Sequence, residues 1–189
     1  HAELAERVLR FMISQREKEG ARCELAPDTD SFNFVIRGWT RCRSSPDISE
    51  RALDVLQLME KYNSTADVTV QPNSRSYGLV MDAIAVKAKH KASKCRKRSD
   101  RDDPSKNGLD EINGLQNLIE SFHAKKKASE PHIEPSTYCY NILLSCWASI
   151  SFLHHNAPLE AERILRHMTS LKEAQGLKDV GPDAFSYIM

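Results

Sequence analysis

One short phrase occurs four times in this chain and constrains its fold more than any other feature. Each copy begins with a proline, continues through four residues to an aromatic residue, and leads into an apolar pattern typical of a helix. The copies start at Pro27, Pro72, Pro135 and Pro182. Repeats of this kind stack into an elongated array that presents a long surface to an extended partner. The phrase therefore favours a binding surface over a single enclosed active site.

Apolar residues follow the aromatic residue at intervals of three, four and seven, which places them on one face of an α-helix. Other stripes begin with alanine and mark second helices, and nothing in the chain alternates with the period of two typical of a strand. The sequence therefore predicts an all-α fold, an α-solenoid of antiparallel helix-turn-helix repeats. The first-helix stripes, whose tryptophans we assign to the core, are Phe32, Val35, Ile36 and Trp39; Tyr77, Val80, Met81 and Ile84; and Tyr140, Leu143, Leu144 and Trp147. The second-helix stripes are Ala5, Val8, Leu9 and Met12; Ala52, Val55, Leu56 and Met59; and Ala161, Ile164, Leu165 and Met168.

The repeats are unequal in length, since successive prolines lie 45, 63 and 47 residues apart. In the longest one, Leu115 replaces the alanine of the other second helices, so this helix should lie further from its neighbour. Because both ends of the chain fall inside helical patterns, we expect a piece of a longer array. The predicted divisions are the second helix of a truncated repeat at 1–28, repeats at 29–73, 74–136 and 137–183, and the start of a further truncated repeat at 184–189.

Most of the extra length in the 74–136 repeat is the segment 87–108, which lacks large apolar residues. Its first part is rich in lysine and arginine, and its second part carries aspartates. Such a composition predicts a solvated, disordered insertion. Two functional alternatives stay open: a basic arm that contacts phosphate groups, and a nuclear localisation signal at 94–98.

The chain carries no P-loop, G-x-S-x-G or H-E-x-x-H motif, so we predict no enzyme activity, no cofactor and no small-molecule substrate. His154 and His155 are adjacent and point in different directions, so we predict surface histidines and no metal site. The five cysteines contain no close C-x-x-C pair, and we expect them to be reduced in an intracellular compartment. No apolar run is long enough to span a membrane. A net charge of +1 argues against tight, indiscriminate nucleic-acid binding.

The succession of proline and aspartate, an aromatic residue followed by asparagine, and then Ala-x-x-x-Leu-x-x-Met resembles the pentatricopeptide repeat family. The resemblance covers nearly the whole chain, although the units here are longer than the usual unit of that family. It implies a right-handed superhelix of helical hairpins that binds single-stranded RNA, in RNA processing, stability or translation in a mitochondrion or plastid. The alternative is a protein-protein interaction scaffold, because the same architecture presents grooves to peptides and helices.

The resemblance also implies which side chains read bases. The residue after the aromatic of a first helix acts with the residue after the proline that closes the same repeat. By resemblance the pair of Asn141 with Asp183 favours uracil. The pair of Asn33 with Asn73 favours a pyrimidine, whereas Gly78 has no side chain with which to contact a base. The three pairs are Asn33 with Asn73, Gly78 with Ser136, and Asn141 with Asp183.

A third position, where the family clamps the base with an aliphatic residue, holds other residue types in this chain. It carries Asp30, Arg75 and Tyr138. Arg75 and Tyr138 could stack on a base or meet phosphate, whereas Asp30 repels phosphate. The alternative role for Asn33 and Asn141 is to cap a neighbouring helix or to form a hydrogen bond with it.

Overall fold

The computed structural model describes residues 1–20, 23–42, 45–65, 70–95, 103–128, 135–175, 181–183 and 186–187. Within these ranges the chain is helical and contains no strand, which confirms the predicted all-α class. None of the described helices has the length and apolar character needed to cross a membrane. The helices are α1 (Ala2–Glu19), α2 (Thr29–Arg41), α3 (Ile48–Thr65), α4 (Ser74–Lys94), α5 (Leu109–Ala128), α6 (Thr137–Ile150) and α7 (Ala157–Gln175), with a one-turn helix at Pro104–Asn107.

The chain forms two compact units, His1–Ala83 and Ile84–Met189, and the boundary between them falls within α4. In the first unit α2 packs against both α1 and α3. In the second unit α6 packs against both α5 and α7. Each unit therefore places one of the predicted first helices between two second helices.

The predicted stripes form most of the core. Every first-helix stripe residue is buried, including Trp39 and Trp147, which confirms their assignment to the core. The stripe of α1 differs from the prediction, because Val8 is 57% exposed. This helix instead buries Ala2, Glu6, Leu9 and Ile13.

A buried carboxylate explains why the face of α1 that packs on the core differs from the predicted one. The indole N–H of Trp39 donates to Glu6 across the α1–α2 interface, at an Nε1–Oε2 distance of 3.0 Å. Arg10 donates to the other oxygen of the same carboxylate at 2.8 Å. The guanidinium of Arg51, on α3, lies 5.6 Å from the centre of the Trp39 ring. A pattern search for apolar residues misses Glu6 because its buried position depends on these partners.

The prediction of a disordered insertion at 87–108 is wrong for most of that segment. Residues 87–94 continue α4, where the small side chains of Ala88 and Ala92 are buried. The reason is a stripe of alanines, which gives a helix an apolar face without large side chains. Residues 103–108 are also ordered, with Asn107 only 1% exposed, and residues 96–102 lie outside the described residues.

The lysines at the end of α4 contact acceptors within the second unit. Lys91 forms an ion pair with Glu111 on α5 at 2.6 Å, and Lys87 lies 3.9 Å from the same carboxylate. Lys89 donates to the hydroxyl of Ser145 on α6 at 2.8 Å. These lysines link the end of α4 to α5 and α6. They are therefore not free to form a phosphate-binding arm.

We expect Glu6→Ala to lower the free energy of unfolding by about 1–3 kcal/mol, because it leaves the buried indole N–H of Trp39 without an acceptor. Urea denaturation measures the change. Glu6→Gln keeps an acceptor and should lower the free energy of unfolding by less. Glu3→Ala, at an exposed position of α1, should leave it nearly unchanged. Equal stability of Glu6→Ala and the parent chain would show that the buried carboxylate does not hold α1.

Gly108 should not tolerate a side chain. It has a φ of +90°, and a Cβ there would lie 2.6 Å from the carbonyl oxygen of Ala88. We expect Gly108→Ala to destabilise the protein by more than the roughly 1–2 kcal/mol that left-handed backbone alone costs an L-residue. Gly114→Ala is the matched control, since its Cβ meets nothing within 4 Å. That change should raise stability by about 0.5–1 kcal/mol, and a harmless Gly108→Ala would mean that 103–108 is not packed on α4.

Candidate functional site

Three of the four repeated phrases form the same hydrogen-bonded cap. The residue after the proline accepts the backbone N–H of a serine three residues later, and the serine hydroxyl accepts its backbone N–H in return. This reciprocal arrangement satisfies N–H groups that the first turn of a helix leaves unpaired. The pairs are Asp28 with Ser31, Asn73 with Ser76, and Asp183 with Ser186, and the serine N–H donors lie 2.7, 3.0 and 2.9 Å from the Oδ1 acceptors.

The fourth copy lacks this cap because cysteine replaces the serine. Ser136 precedes α6 without a side-chain hydrogen bond to the helix terminus. Its hydroxyl lies 3.7 Å from the sulfur of Cys139. Thr137 instead donates to the carbonyl oxygen of Gly181 at 3.1 Å. The start of α6 is thereby tied to the segment that holds the last repeated phrase.

The structure brings together the predicted pair Asn141 and Asp183, which lie 42 residues apart in the chain. The amide nitrogen of Asn141 donates to the two carboxylate oxygens of Asp183 at 3.3 and 3.4 Å. Its amide oxygen accepts the hydroxyl of Ser186 at 2.6 Å. Asn141 is 8% exposed, whereas Asp183 is an exposed residue. A polar cluster of one amide, one carboxylate and one hydroxyl results, at the position the resemblance implies.

Asn33 occupies the same repeat position as Asn141, six residues after the proline, but in a different environment. Its side chain is 3% exposed. Neither its amide nitrogen nor its amide oxygen has a hydrogen-bond partner among the described residues. The predicted partner Asn73 uses its amide oxygen to cap α4, and no hydrogen bond joins its side chain to that of Asn33. A buried amide without hydrogen-bond partners lowers the stability of a protein by about 1–3 kcal/mol, so the burial of Asn33 needs a physical explanation.

The remaining predicted residues lie at or near the starts of helices. Gly78 is buried in the first turns of α4, in the first unit. Arg75 lies 3.9 Å from Asp30, and both side chains are more than half exposed. Such a surface ion pair is weak, so both groups stay accessible to solvent. Tyr138 is 53% exposed at the start of α6.

No metal site is formed by the part of the chain that the structure describes, where no three His, Cys, Asp or Glu side chains are grouped to hold an ion. All five cysteines are free of disulfide bonds in the structure. His155 is exposed as predicted, whereas His154 is only partly exposed.

The comparisons with known proteins add no relative: neither the protein-family models, nor the curated proteins, nor the solved structures contain a match to this chain. The assignment of a function therefore depends on the residues of the repeated phrase and their geometry.

The Asp28 cap should make the stability of α2 depend on pH. Hydrogen bonds from the side chain and backbone of Ser31 lower the pKa of Asp28 below its ordinary value. The cap therefore contributes stability above the ordinary pKa of about 4 and loses it as the pH falls through the lowered pKa.

At pH 7 we expect Asp28→Ala to lower the free energy of unfolding by about 1 kcal/mol, with a smaller difference at pH 3. Urea denaturation at both pH values measures it. Asp28→Asn keeps a neutral cap, so its difference from Asp28→Ala should not change with pH. The account of this cap would be wrong if Asp28→Ala were equally destabilising at both pH values.

Proposed function

We propose that this chain is a sequence-selective module that binds single-stranded RNA. The proposal includes an α-solenoid arrangement of its helix-turn-helix repeats, similar to pentatricopeptide repeats. The module would act in RNA processing, stability or translation in a mitochondrion or plastid. The observation that carries the proposal is the hydrogen-bonded contact between Asn141 and Asp183. These residues come from opposite ends of one repeat, and the resemblance pairs them as readers of one base.

The chemistry of this contact suits the edge of a base. Asn141 offers both a donor and an acceptor, and ionised Asp183 offers acceptors only. Uracil presents one N–H donor between two carbonyl acceptors. A uracil edge would therefore donate its N–H to the Asp183 carboxylate and accept the amide N–H of Asn141. In the unbound chain the same two groups bond to each other, which keeps the buried amide satisfied until a base arrives.

Asn33 supports the same proposal from the other unit. A bound base would supply the partners that its amide lacks and would offset the free energy that the unpaired group costs. Arg75 lies at the exposed start of α4 in the same unit, where a guanidinium can bind phosphate.

A protein-protein interaction scaffold is the second candidate function, and one surface favours it. Leu4, Val8 and Phe11 recur at helical spacing on α1, and each is more than half exposed. An apolar face of this kind on a surface helix is typical of an interaction site. This candidate predicts capture of a protein partner and no preference among RNA sequences.

Oligouridylate and oligoadenylate RNAs of equal length test the proposed site. We expect tighter binding of oligouridylate, and Asn141→Ala should weaken that complex by roughly 1–3 kcal/mol, the scale known for bidentate contacts to a base edge. Binding of oligoadenylate should change much less, because the lost contacts are specific to the uracil edge. Fluorescence anisotropy at physiological salt measures both affinities, since phosphate contacts weaken as salt rises.

Asn117→Ala, an exposed asparagine on α5, is the control and should leave both affinities unchanged. Because Asn141 also bonds to Ser186, the thermal midpoint of each variant must be compared with the parent chain. If folded Asn141→Ala kept the parent affinity and base preference, the assignment of this site would be wrong. If neither RNA bound to the parent chain, the scaffold would become the better candidate.

A further inference from the structure

A groove in the second unit lies outside the Asn141 cluster. It runs between α5 and α7 and has α6 as its floor. Two cavities of about 570 and 320 Å³ form it, and both are lined by Gln116, Glu160 and Arg163. Volumes of this size are typical of sites for small ligands.

The larger cavity has an aromatic wall. The hydroxyl of Tyr140 and Nε2 of His123 share a hydrogen bond of 2.6 Å. The ring of His167 meets that of His123 edge-on at 5.9 Å and that of Tyr140 at 6.0 Å, measured between ring centres. The apolar side chains that complete this cavity are Ile119, Leu143 and Ile164. Aromatic and aliphatic side chains together suit the faces of a flat ring.

Two residues that line the smaller cavity each carry a buried polar atom without a partner. Trp147 is 6% exposed, and its indole Nε1 has no hydrogen-bond partner among the described residues. Nε2 of His154 is likewise buried and without a partner in that part of the chain. Both residues line this cavity, together with the amides of Asn113 and Asn156. Burying such groups is unfavourable unless something in the cavity completes their hydrogen bonds.

The lining residues determine which hydrogen-bonding groups a ligand must carry. An indole N–H can only donate, so the ligand needs an acceptor. The carboxylate of Glu160, whose bond to Arg163 is long at 3.4 Å, favours a ligand that also carries a donor. A simple fatty acid or a hydrocarbon meets one of these requirements at most. A flat heteroaromatic ring with donors and acceptors on its edge meets both.

We propose that this groove binds a nucleobase, carried by a free nucleotide or by single-stranded RNA. The base lies against the wall of His123, Tyr140 and His167 and accepts the indole N–H of Trp147 at its edge. Arg163 stands at the rim, where its side chain is 79% exposed and bonded only weakly to Glu160 at 3.4 Å. A guanidinium in this position binds the phosphate of the same nucleotide. The proposal does not depend on the Asn141 site, which lies elsewhere on α6.

The two tryptophans of the chain give a direct test by nuclear magnetic resonance. Each indole N–H gives its own signal in a ¹⁵N-labelled sample, and Trp147→Phe identifies the signal of Trp147. Adenosine, guanosine, cytidine and uridine 5′-monophosphates are titrated into the intact chain. At least one should shift the Trp147 signal saturably, while the Trp39 signal, whose donor is bonded to Glu6, stays in place.

Two variants test which residue binds the base and which binds the phosphate. Trp147→Phe keeps an aromatic ring but removes the donor and should weaken binding of the best nucleotide about fivefold, the effect of one net hydrogen bond. Arg163→Ala should weaken binding of the nucleotide but not of its nucleoside. Arg166→Ala is the matched control, since its side chain is also on α7, is 77% exposed and pairs with Glu162.

The controls separate a base site from other kinds of site. Ribose 5-phosphate should leave the Trp147 signal unchanged, and an equal shift with this compound would overturn the base assignment. The absence of any shift with millimolar nucleotides and with a single-stranded RNA oligomer would overturn the whole proposal. Saturation by the oligomer at a much lower concentration than by mononucleotides would identify RNA as the source, and the reverse would identify free nucleotide.

Asn141→Ala should leave nucleotide binding in the groove intact. Failure of the proposed RNA site and failure of the groove are therefore distinguishable in the same protein.

Discussion

The packing of α2 between α1 and α3, and of α6 between α5 and α7, is the constraint on which the rest of each unit depends. In the second unit α6 is apolar around most of its circumference, and nine consecutive residues from Cys139 to Trp147 are buried. A helix of this kind has no face that suits water, so α5 and α7 must cover it on two sides. In the first unit α2 is covered in the same way by α1 and α3.

Burial makes it favourable for the polar groups of these helices to find partners inside the protein, and three of them do. Trp39 meets the carboxylate of Glu6, Ser145 accepts from Lys89, and Asn141 is held by Asp183 and Ser186. The last of these contacts uses the cap that starts the final repeated phrase. Asp183 and Ser186 therefore belong both to this cap and to the cluster proposed to read a base.

The sequence was sufficient for the helical class and for the first-helix stripes, because large apolar residues at helical spacing have one simple physical meaning. It failed for Glu6 and for residues 87–95, since a paired carboxylate and a stripe of alanines are both invisible to a search for large apolar side chains. The pairing of Asn141 with Asp183 came from the family resemblance and from no local pattern. The groove could not be predicted because its lining comes from three helices and from the turn before α7.

Selection from a random pool of single-stranded RNA tests the central claim most directly. The intact chain is incubated with the pool at physiological salt, where non-specific phosphate binding is weak for a chain with a net charge of +1. The retained RNAs are then sequenced. The account predicts enrichment of a short common sequence that contains uracil. A retained pool with the same composition as the starting pool would contradict it.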